Sequence, residues 1–309
     1  MQRGAAASLC HSGDVFRVVH WNVRRCVDLS GTSSYARVLQ TLERLQPTLL
    51  TLNEVDMRQT PALLEDLSSA VGLPHSSFFG HVRGVYGNVL ASAVPLSDAV
   101  HTHVEGGTEV TTKDGSVHRI ARGLLSASLS ALGVELRVGV THLDHMSSEQ
   151  RRVQMEHVIR TLGTSGSRPL AAEQQCLLLG DLNALGRADY SVEEWAAHEA
   201  YNAAKGWGAP DDEGAAGGVL ALLRAARFVD AYASLEGPPA WGRAPWTAHV
   251  LDAERPPYRI DYAWSRAPAA VGGRRLVPLA ASVELDSGEA SDHQPVVVDF
   301  EAVAFDAGE

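Results

Sequence analysis

Clusters of polar side chains at the ends of apolar runs constrain this 309-residue chain more than any other feature of its sequence. Short apolar runs of this kind are typical of buried strands. Catalytic and binding groups gather where strands meet loops, because the sheet holds them rigidly. One cluster would be ordinary strand capping, but six between residues 20 and 293 indicate a single site assembled from the whole chain. The clusters are His20-Trp21-Asn22, Asn53-Glu54-Val55-Asp56, His142-Leu143-Asp144-His145, Asp181-Leu182-Asn183, Arg259-Ile260-Asp261 and Ser291-Asp292-His293.

Strand-like and helix-like patterns alternate in the first part of the chain. Residues 16–22 read as a strand, and the apolar residues of the segment 35–45 fall on one helical face. A second strand is predicted over residues 48–52. Strand signals then dominate residues 89–136, where Asp114-Gly115 is a strong hairpin turn. This order predicts an α/β domain in which helices cover a sheet.

A single domain is expected, because one site has to gather residues from both halves of the chain. We place it over residues 15–303, after a lead-in of residues 1–14 and before a tail of residues 304–309. Hydrophobic residues make up 45% of the chain and charged residues 20%, which is ordinary for a globular protein. A chain of this length can bury a large core without disulfides or structural metals.

Cysteine usage and the lack of membrane signals bear on the compartment. The three cysteines form no CxxC pair and no even framework, which favours a reducing environment over secretion. We expect no membrane span, because no run of 18 uncharged apolar residues is present in the sequence. The first residues lack the apolar core of a signal peptide, although a short organelle presequence remains an alternative. We expect an intracellular monomer, cytoplasmic or nuclear.

The net charge of −11 argues against a protein that depends on non-specific contacts with phosphate backbones. Lys113 and Lys205 are the only lysines in the chain. A local arginine patch can still operate on an acidic protein. The charge therefore lowers the expectation of a nucleic-acid partner without removing it.

The order of these clusters resembles the endonuclease/exonuclease/phosphatase superfamily of metal-dependent phosphoesterases. The resemblance covers roughly residues 15–301 and is strongest at Gly180-Asp181-Leu182-Asn183-Ala184 and at Ser291-Asp292-His293. One departure is that the acidic motif of the family usually reads Gln-Glu, whereas this chain has Asn53-Glu54. The resemblance implies a DNase I-like α/β fold. This fold is a four-layer sandwich of two packed mixed β-sheets flanked by helices, with the site at one end.

The resemblance also implies a metal site. Hydrolysis of a phosphate ester needs a cation to absorb developing charge and an activated water. Hard oxygen ligands suit Mg²⁺, with Mn²⁺ as a substitute. Glu54 is the main ligand that the resemblance implies, and Asn22 and Asp292 complete or support the site.

Two carboxylates and a histidine carry the expected chemistry. Asp181 and Asn183 lie two residues apart, so both point to the same side, although an Asx turn is the alternative. The resemblance implies that Asp181 orients or deprotonates the attacking water and that Asn183 holds the phosphate or that carboxylate. His293 is the acid/base candidate, because imidazole titrates near neutral pH, and Asp261 would orient it.

Three further residues are expected around the phosphate. By resemblance, His142 would donate a hydrogen bond to a non-bridging oxygen. Arg122 would clamp the phosphate, because a guanidinium group matches its geometry. Asn88 lies in a Gly-Asn strand entry like that of the family and would face the site.

Two alternatives compete with this interpretation. A zinc hydrolase could be built on His142, Asp144 and His145, but Val140 stands where such a motif needs another histidine. A non-catalytic binding platform would be expected to have lost at least one of Glu54, Asp181, Asn183 and His293, and all four are present. The sequence thus predicts a Mg²⁺-dependent phosphoesterase in which water attacks a phosphodiester in line with the leaving group. Nucleic acid is one candidate substrate.

Overall fold

A computed structural model of the chain places residues 15–305 with a few internal gaps. The predicted lead-in of residues 1–14 and residues 306–309 of the predicted tail lie outside the described residues. The internal gaps are residues 113, 166–167, 170, 172–173, 206–217, 237–245, 249–257 and 270–271.

The described residues form sixteen strands and six α-helices. The strands in the first half of the chain are β1 (Phe16–Asn22), β2 (Leu49–Asp56), β3 (His75–Val82), β4 (Tyr86–Ser92), β5 (Ser97–Val104), β6 (Glu109–Thr111), β7 (Val117–Arg119), β8 (Arg122–Ala131) and β9 (Val134–His142). The later strands are β10 (Thr164–Ser165), β11 (Arg168–Pro169), β12 (Gln175–Asp181), β13 (Val229–Asp230), β14 (Asp261–Arg266), β15 (Arg274–Val283) and β16 (Val296–Ala304). The helices are α1 (Tyr35–Leu45), α2 (Leu63–Ser69), α3 (Ser148–Leu162), α4 (Val192–Ala204), α5 (Val219–Ala225) and α6 (Ala231–Glu236).

Two six-stranded mixed sheets make up the body of the fold. The first has the order β15-β16-β1-β2-β4-β3, and the second has the order β13-β14-β12-β9-β8-β5. Each contains one parallel pair, β1 with β2 in the first sheet and β9 with β12 in the second. The other pairs within the two sheets are antiparallel.

Strand alternation divides the apolar residues between two faces of each sheet. In β1, Val18 packs between the sheets with Val138 of β9, whereas Val19 faces outward onto α1 and α2. The outer face of the second sheet carries α3 and α5, through residues such as Met155 and Leu220. The predicted four-layer arrangement of helices around two packed mixed sheets is therefore confirmed. None of the described helices has the length and apolar character needed to cross a membrane.

The strand predicted over residues 48–52 continues in the structure to Asp56. Pairing between β2 and β4 shifts register between Leu52 and Val55. Glu54, inside this bulge, has a left-handed backbone with φ of 58°. A bulge changes the direction of a side chain without ending the strand. The sheet therefore holds Asn53 and Glu54, which lie beyond the predicted end of the strand at residue 52.

Candidate active site

The pairing registers of the two sheets bring the polar strand ends to one edge of the sandwich. Asn22 at the end of β1 is paired with Asn53 of β2. His142 at the end of β9 is paired with Asp181 at the end of β12, and Asp181 is paired with Asp261 at the start of β14. Parallel strands end at the same edge, and an antiparallel neighbour begins there. The site is therefore built by strand direction rather than by any one loop.

Gly180 allows β12 to approach β9 closely just before Asp181. A Cβ atom at position 180 would lie 2.0 Å from the carbonyl oxygen of Thr141. The φ of 157° at Gly180 is also one that other residues rarely adopt. The glycine thus fixes where the Asp181 backbone leaves the strand, and this accounts for the Gly-Asp pair in the sequence.

His293 is held by Asp261 in a buried hydrogen bond. The Nδ1 atom of His293 lies 2.8 Å from Oδ2 of Asp261. Burial alone would lower the pKa of His293, but the negative charges of Asp261 and Asp181 outweigh it and raise that pKa above 6.5, its ordinary value. Burial also disfavours the charged form of Asp261 and would raise its pKa, but His293 holds that pKa below its usual range. The two groups form an ion pair at neutral pH.

Asp181 stands at the centre of the group. Its Oδ2 atom lies 3.7 Å from Nε2 of His293 and 3.5 Å from Nε2 of His142, and it accepts a 3.0 Å hydrogen bond from Nδ2 of Asn22. Burial and the nearby charge of Asp261 raise the pKa of Asp181 above its ordinary value. A carboxylate whose pKa is raised in this way is a better proton acceptor near neutral pH than an ordinary aspartate.

Asn22 joins the two halves of the site. Its Nδ2 group also donates to Oε1 of Glu54 at 3.2 Å, so one amide bridges Glu54 and Asp181. Its Oδ1 atom accepts the backbone N–H of Arg24 at 3.1 Å. The Glu54 side chain is partly exposed, and its Oε1 atom lies 4.0 Å from Nδ1 of His142. Glu54 therefore presents a carboxylate at the open side of the group.

Asn53 ties the two sheets together beside the site. Its Nδ2 group donates to Oδ1 of Asn88 at 2.9 Å, and its Oδ1 atom accepts the backbone N–H of Asp181 at 2.9 Å. Asn88 in turn donates to the carbonyl of Gly123 at 2.9 Å and is fully buried. The sequence predicts that Asn88 contacts the phosphate. In the structure both ends of its amide are bonded to protein groups instead.

The loop that carries Asp292 and His293 is anchored on β1. The hydroxyl of Ser291 donates to the carbonyl of Asn22 at 2.7 Å, and the indole N–H of Trp21 donates to the carbonyl of His293 at 2.8 Å. Asp292 lies at the open side, where its Oδ2 atom is 3.3 Å from Nε of Arg24. These anchors place residues from the two ends of the chain at one site.

A buried guanidinium group marks one wall of the site. Arg122 is 6% exposed, and its Nε atom has no hydrogen-bond partner among the described residues. Its Nη2 atom lies 3.3 Å from Nδ1 of His145. Burial, together with the positive charge of Arg122, lowers the pKa values of His142 and His145 and lowers that of His81 to about 4. These imidazoles are therefore neutral, and the unpaired guanidinium N–H is suited to an anionic ligand.

Asn183 and Asp144 lie on the same side but differ in their bonding. Asn183 has a φ of 49°, and its Nδ2 group donates to the carbonyl of Leu143 at 3.2 Å. The Asp144 carboxylate accepts hydrogen bonds from the backbone N–H groups of Thr108, Met146 and Ser147. Because these bonds engage the oxygens of Asp144, the geometry does not favour a zinc site formed with its neighbouring histidines.

The available ligand atoms fit a hard divalent cation. Among the described residues, ligand atoms of Asp181, Asp261 and His293 lie within 4.8 Å of one another. Asp261 and His293 are bonded to each other, so this cluster is better suited to proton transfer than to metal binding. Glu54 and Asp292 line one cavity at the open side and offer the oxygen donors that Mg²⁺ prefers.

Three residues outside the predicted set belong to the same arrangement. The Nε2 atom of His20 lies 3.4 Å from Oδ1 of Asp261. Tyr86 is close to Glu54. Burial raises the pKa of the Tyr86 hydroxyl, and the negative charge of Glu54 raises it further. Arg24 contacts Asp292. Strand alternation gave a signal for His20, because it faces the same side of β1 as Asn22. No comparable pattern pointed to Tyr86 or Arg24.

Comparison with known proteins identifies a family and a fold. A profile of the Endonuclease/Exonuclease/phosphatase family matches residues 19–293. A search among curated proteins found no match.

Among solved structures, the similarity is at the level of the fold. An endonuclease/exonuclease/phosphatase from Beutenbergia cavernae is 21% identical with a TM-score of 0.62, covering 93% of this chain and 72% of the other. The human Nocturnin catalytic domain with bound sulfate is 19% identical with a TM-score of 0.61, covering 94% and 95%. An AP endonuclease from Archaeoglobus fulgidus is 16% identical with a TM-score of 0.61, covering 94% and 100%.

Proposed function

Because the chain belongs to the endonuclease/exonuclease/phosphatase family, we propose that it is a Mg²⁺-dependent hydrolase that cleaves a phosphodiester by in-line attack of water. The family consists of hydrolases of phosphate esters, and the acidic and histidine groups of the site suit that chemistry. The ion, the phosphodiester and the roles of single residues are parts of this proposal.

The observation that supports this proposal most is the contact of one imidazole with two carboxylates. His293 is bonded to Asp261 through Nδ1, and its Nε2 atom faces Asp181 at 3.7 Å. One side of the ring is thus fixed and the other is directed at a second acidic group. In this arrangement Asp181, whose pKa is raised, accepts the proton of the attacking water. His293, which carries a proton at neutral pH, stabilises the phosphate and protonates the leaving oxygen.

Glu54 and Asp292 would hold Mg²⁺ at the open side of the site. Bound there, the cation would supply charge stabilisation for the phosphate in the transition state. Asn22 donates hydrogen bonds to Glu54 and Asp181 and so keeps the two carboxylates apart in fixed positions. Its role in this proposal is to orient the ligand and the base.

The other side of the phosphate would be bound by Arg122, His142 and Asn183. The unpaired Nε–H of Arg122 and the neutral ring of His142 are donors that leave the phosphate charge in place. Such fixed donors stabilise charge that develops on non-bridging oxygens. Asn88, whose amide is engaged by Asn53 and Gly123, would instead keep the sheets in register.

A substrate panel tests this proposal. DNA and RNA strands, a generic phosphodiester, phosphomonoesters and inositol phosphates would be incubated with the purified protein in Mg²⁺ or Mn²⁺. The His293→Ala protein, prepared in parallel, excludes contaminating enzymes. Cleavage of a diester that disappears in the variant is the expected result. Failure to cleave any member of the panel would contradict the proposal and favour a binding platform on this fold.

A further inference from the structure

A cavity rich in arginine opens beside Glu54 and Asp292. It has a volume of about 520 Å³ and shares these two carboxylates with the candidate active site. Acidic residues outnumber basic ones in this protein, 37 to 26, and its net charge is −11. Five arginines nevertheless line one cavity next to the site, which the overall composition does not explain. The arginines that line it are Arg24, Arg25, Arg58, Arg83 and Arg119.

Three of these arginines occupy backbone positions that favour glycine. The φ angles are 45° at Arg24, 61° at Arg25 and 52° at Arg83. A non-glycine residue in this region is strained, and glycine adopts it freely. The backbone at these turns therefore gives no reason for a long side chain. Two separate turns nevertheless direct arginine toward the same cavity.

The arginines differ in whether the protein neutralises them. Arg58 is paired with Asp56 and Arg119 with Glu109, and Arg24 lies against Asp292. Arg25 and Arg83 are exposed. Their side chains have no hydrogen bond or ion pair with any residue that the structure describes. Two guanidinium groups without a hydrogen-bonded or ion-paired partner therefore line a cavity that is continuous with the site. Asp56, the carboxylate with which Arg25 interacts at longer range, is already bonded to Arg58.

We propose that this cavity binds a second phosphate group of the substrate, adjacent to the phosphate that is cleaved. The inference rests on the proposed function and narrows its substrate class to compounds with at least two neighbouring phosphates. A guanidinium group matches phosphate geometry and stays charged at any physiological pH. Both a nucleic-acid strand and a multiply phosphorylated small molecule offer this chemistry.

Glycine substitutions separate the role of the arginine side chains from folding. Arg25→Gly and Arg83→Gly remove the guanidinium groups and relieve the left-handed strain, so the melting temperature should not fall. Arg227→Gly is the matched control, because Arg227 is also an exposed arginine with a positive φ of 64°. It precedes β13, which pairs with the end of β14 remote from Asp261.

Pairs of substrates that differ by one phosphate give the main measurement. A thymidine dinucleotide is compared with its 5′-phosphorylated form, and glycerophosphoinositol with glycerophosphoinositol 4-phosphate, so that both pairs carry a phosphodiester. We expect kcat/KM to be about tenfold higher, or more, for the member with the second phosphate, which is the order of one charge-assisted contact. The Arg25→Gly/Arg83→Gly protein should lose this preference and Arg227→Gly should keep it. The pair with the larger preference identifies the source of the second phosphate.

Binding of inorganic pyrophosphate, measured by calorimetry without metal, separates this inference from the proposed function. Pyrophosphate binding that weakens about tenfold or more in the double glycine variant, and not in Arg227→Gly, supports the subsite even if no substrate is cleaved. An active enzyme with equal kcat/KM for both members of each pair would overturn the inference. So would an unchanged preference in the double variant.

Discussion

His20 and His293 lie against opposite oxygens of the same carboxylate, that of Asp261. The Nε2 atom of His20 lies 3.4 Å from Oδ1, and Nδ1 of His293 lies 2.8 Å from Oδ2. On its other side, Nδ1 of His20 is 2.9 Å from the hydroxyl of Thr51. If that hydroxyl donates, Nε2 of His20 carries the proton and faces Oδ1 of Asp261, although the geometry there falls short of a hydrogen bond. His20 thereby restrains the carboxylate that orients His293.

Substitution of His20 should therefore impair turnover through Asp261. We expect His20→Ala to lower kcat about tenfold to a hundredfold, the range found for groups that orient a catalytic residue, with little change in KM. His20→Gln, which retains a donor, should recover part of the loss. Steady-state kinetics on the cleaved substrate provides the measurement, with the exposed His101→Ala as the control. Equal kcat values for His20→Ala and wild type would contradict the role of His20.

Asp181→Asn and His293→Ala should each reduce kcat by about 10²- to 10⁴-fold while the protein still folds. Asp181→Asn keeps the shape of the side chain but removes the proton acceptor, and His293→Ala removes the proton donor. Circular dichroism and a melting curve verify folding before turnover is measured. Near-normal turnover in a folded variant would exclude the assigned role for that residue.

Glu54→Gln should raise the Mg²⁺ concentration needed for half-maximal rate, because an amide is a weaker ligand than a carboxylate for a hard cation. We expect a shift of about tenfold or more, as seen when metal sites lose supporting groups. Titration of the rate with Mg²⁺ after treatment with EDTA gives the measurement. Glu43→Gln, an exposed glutamate on α1, is the matched control. An unchanged Mg²⁺ dependence in Glu54→Gln would point to another ligand.

The ion pair of His293 and Asp261 predicts a pH-dependent contribution to stability. The pKa of His293 is raised in the folded protein, so its contribution is complete below its ordinary value of 6.5 and is lost as pH rises through the folded pKa. The pKa of Asp261 is lowered, so its contribution is complete above 3.8 and is lost as pH falls through the folded pKa.

Denaturation in urea with EDTA tests this dependence in an Asp181→Asn background, which removes the neighbouring charge. Near pH 6, adding His293→Gln should lower the free energy of unfolding by about 2 kcal/mol, the scale of a charge-assisted hydrogen bond. That difference should shrink as pH rises toward about 10, the raised pKa of His293 in the wild-type protein, and it should shrink earlier in this background because Asp181 is one of the charges that raise that pKa. A difference that stays constant from pH 6 to about pH 10 would contradict the ion pair.

Asn53 should contribute to stability as well as to the site. Asn53→Ala leaves the amide of Asn88 and the backbone N–H of Asp181 without their partner, and both are buried. Each unsatisfied buried group costs about 1–3 kcal/mol, so the loss of both partners should lower the free energy of unfolding by about 2–6 kcal/mol. Chemical denaturation provides the measurement. Gln40→Ala, which removes an exposed amide on α1, is the comparison, and an equal loss there would contradict the specific role of Asn53.

The fold class could be predicted from the sequence, and the strand-end clusters indicated from which residues a site could be built. The strand–helix alternation predicts an α/β domain, the family resemblance implies two packed mixed sheets with helices outside, and the topology confirms this architecture. Asn22, Glu54, Asp181 and His293 are site residues that the resemblance implies, and the structure brings them close together, while their roles stay predictions. Their proximity could be anticipated because period-two alternation and strand direction are local properties that a single segment reveals.

The partners of each side chain could not be read from the sequence. Asn88 was expected at the phosphate, but a partner 35 residues away binds its amide in the space between the sheets. His20 was present in a cluster, yet its contact with Asp261 depends on how the first sheet packs against the second.

What the sequence by itself determined, then, is which chemical groups end the strands and on which side of each strand they lie. The tertiary structure alone decided which of them meet. It placed Asp261 between two histidines, and it turned Glu54 outward at a bulge beside a cavity lined with arginines. The physical reason is that hydrogen bonds and ion pairs depend on distances of a few ångströms between residues that are hundreds of positions apart. Only the packing of the two sheets fixes those distances.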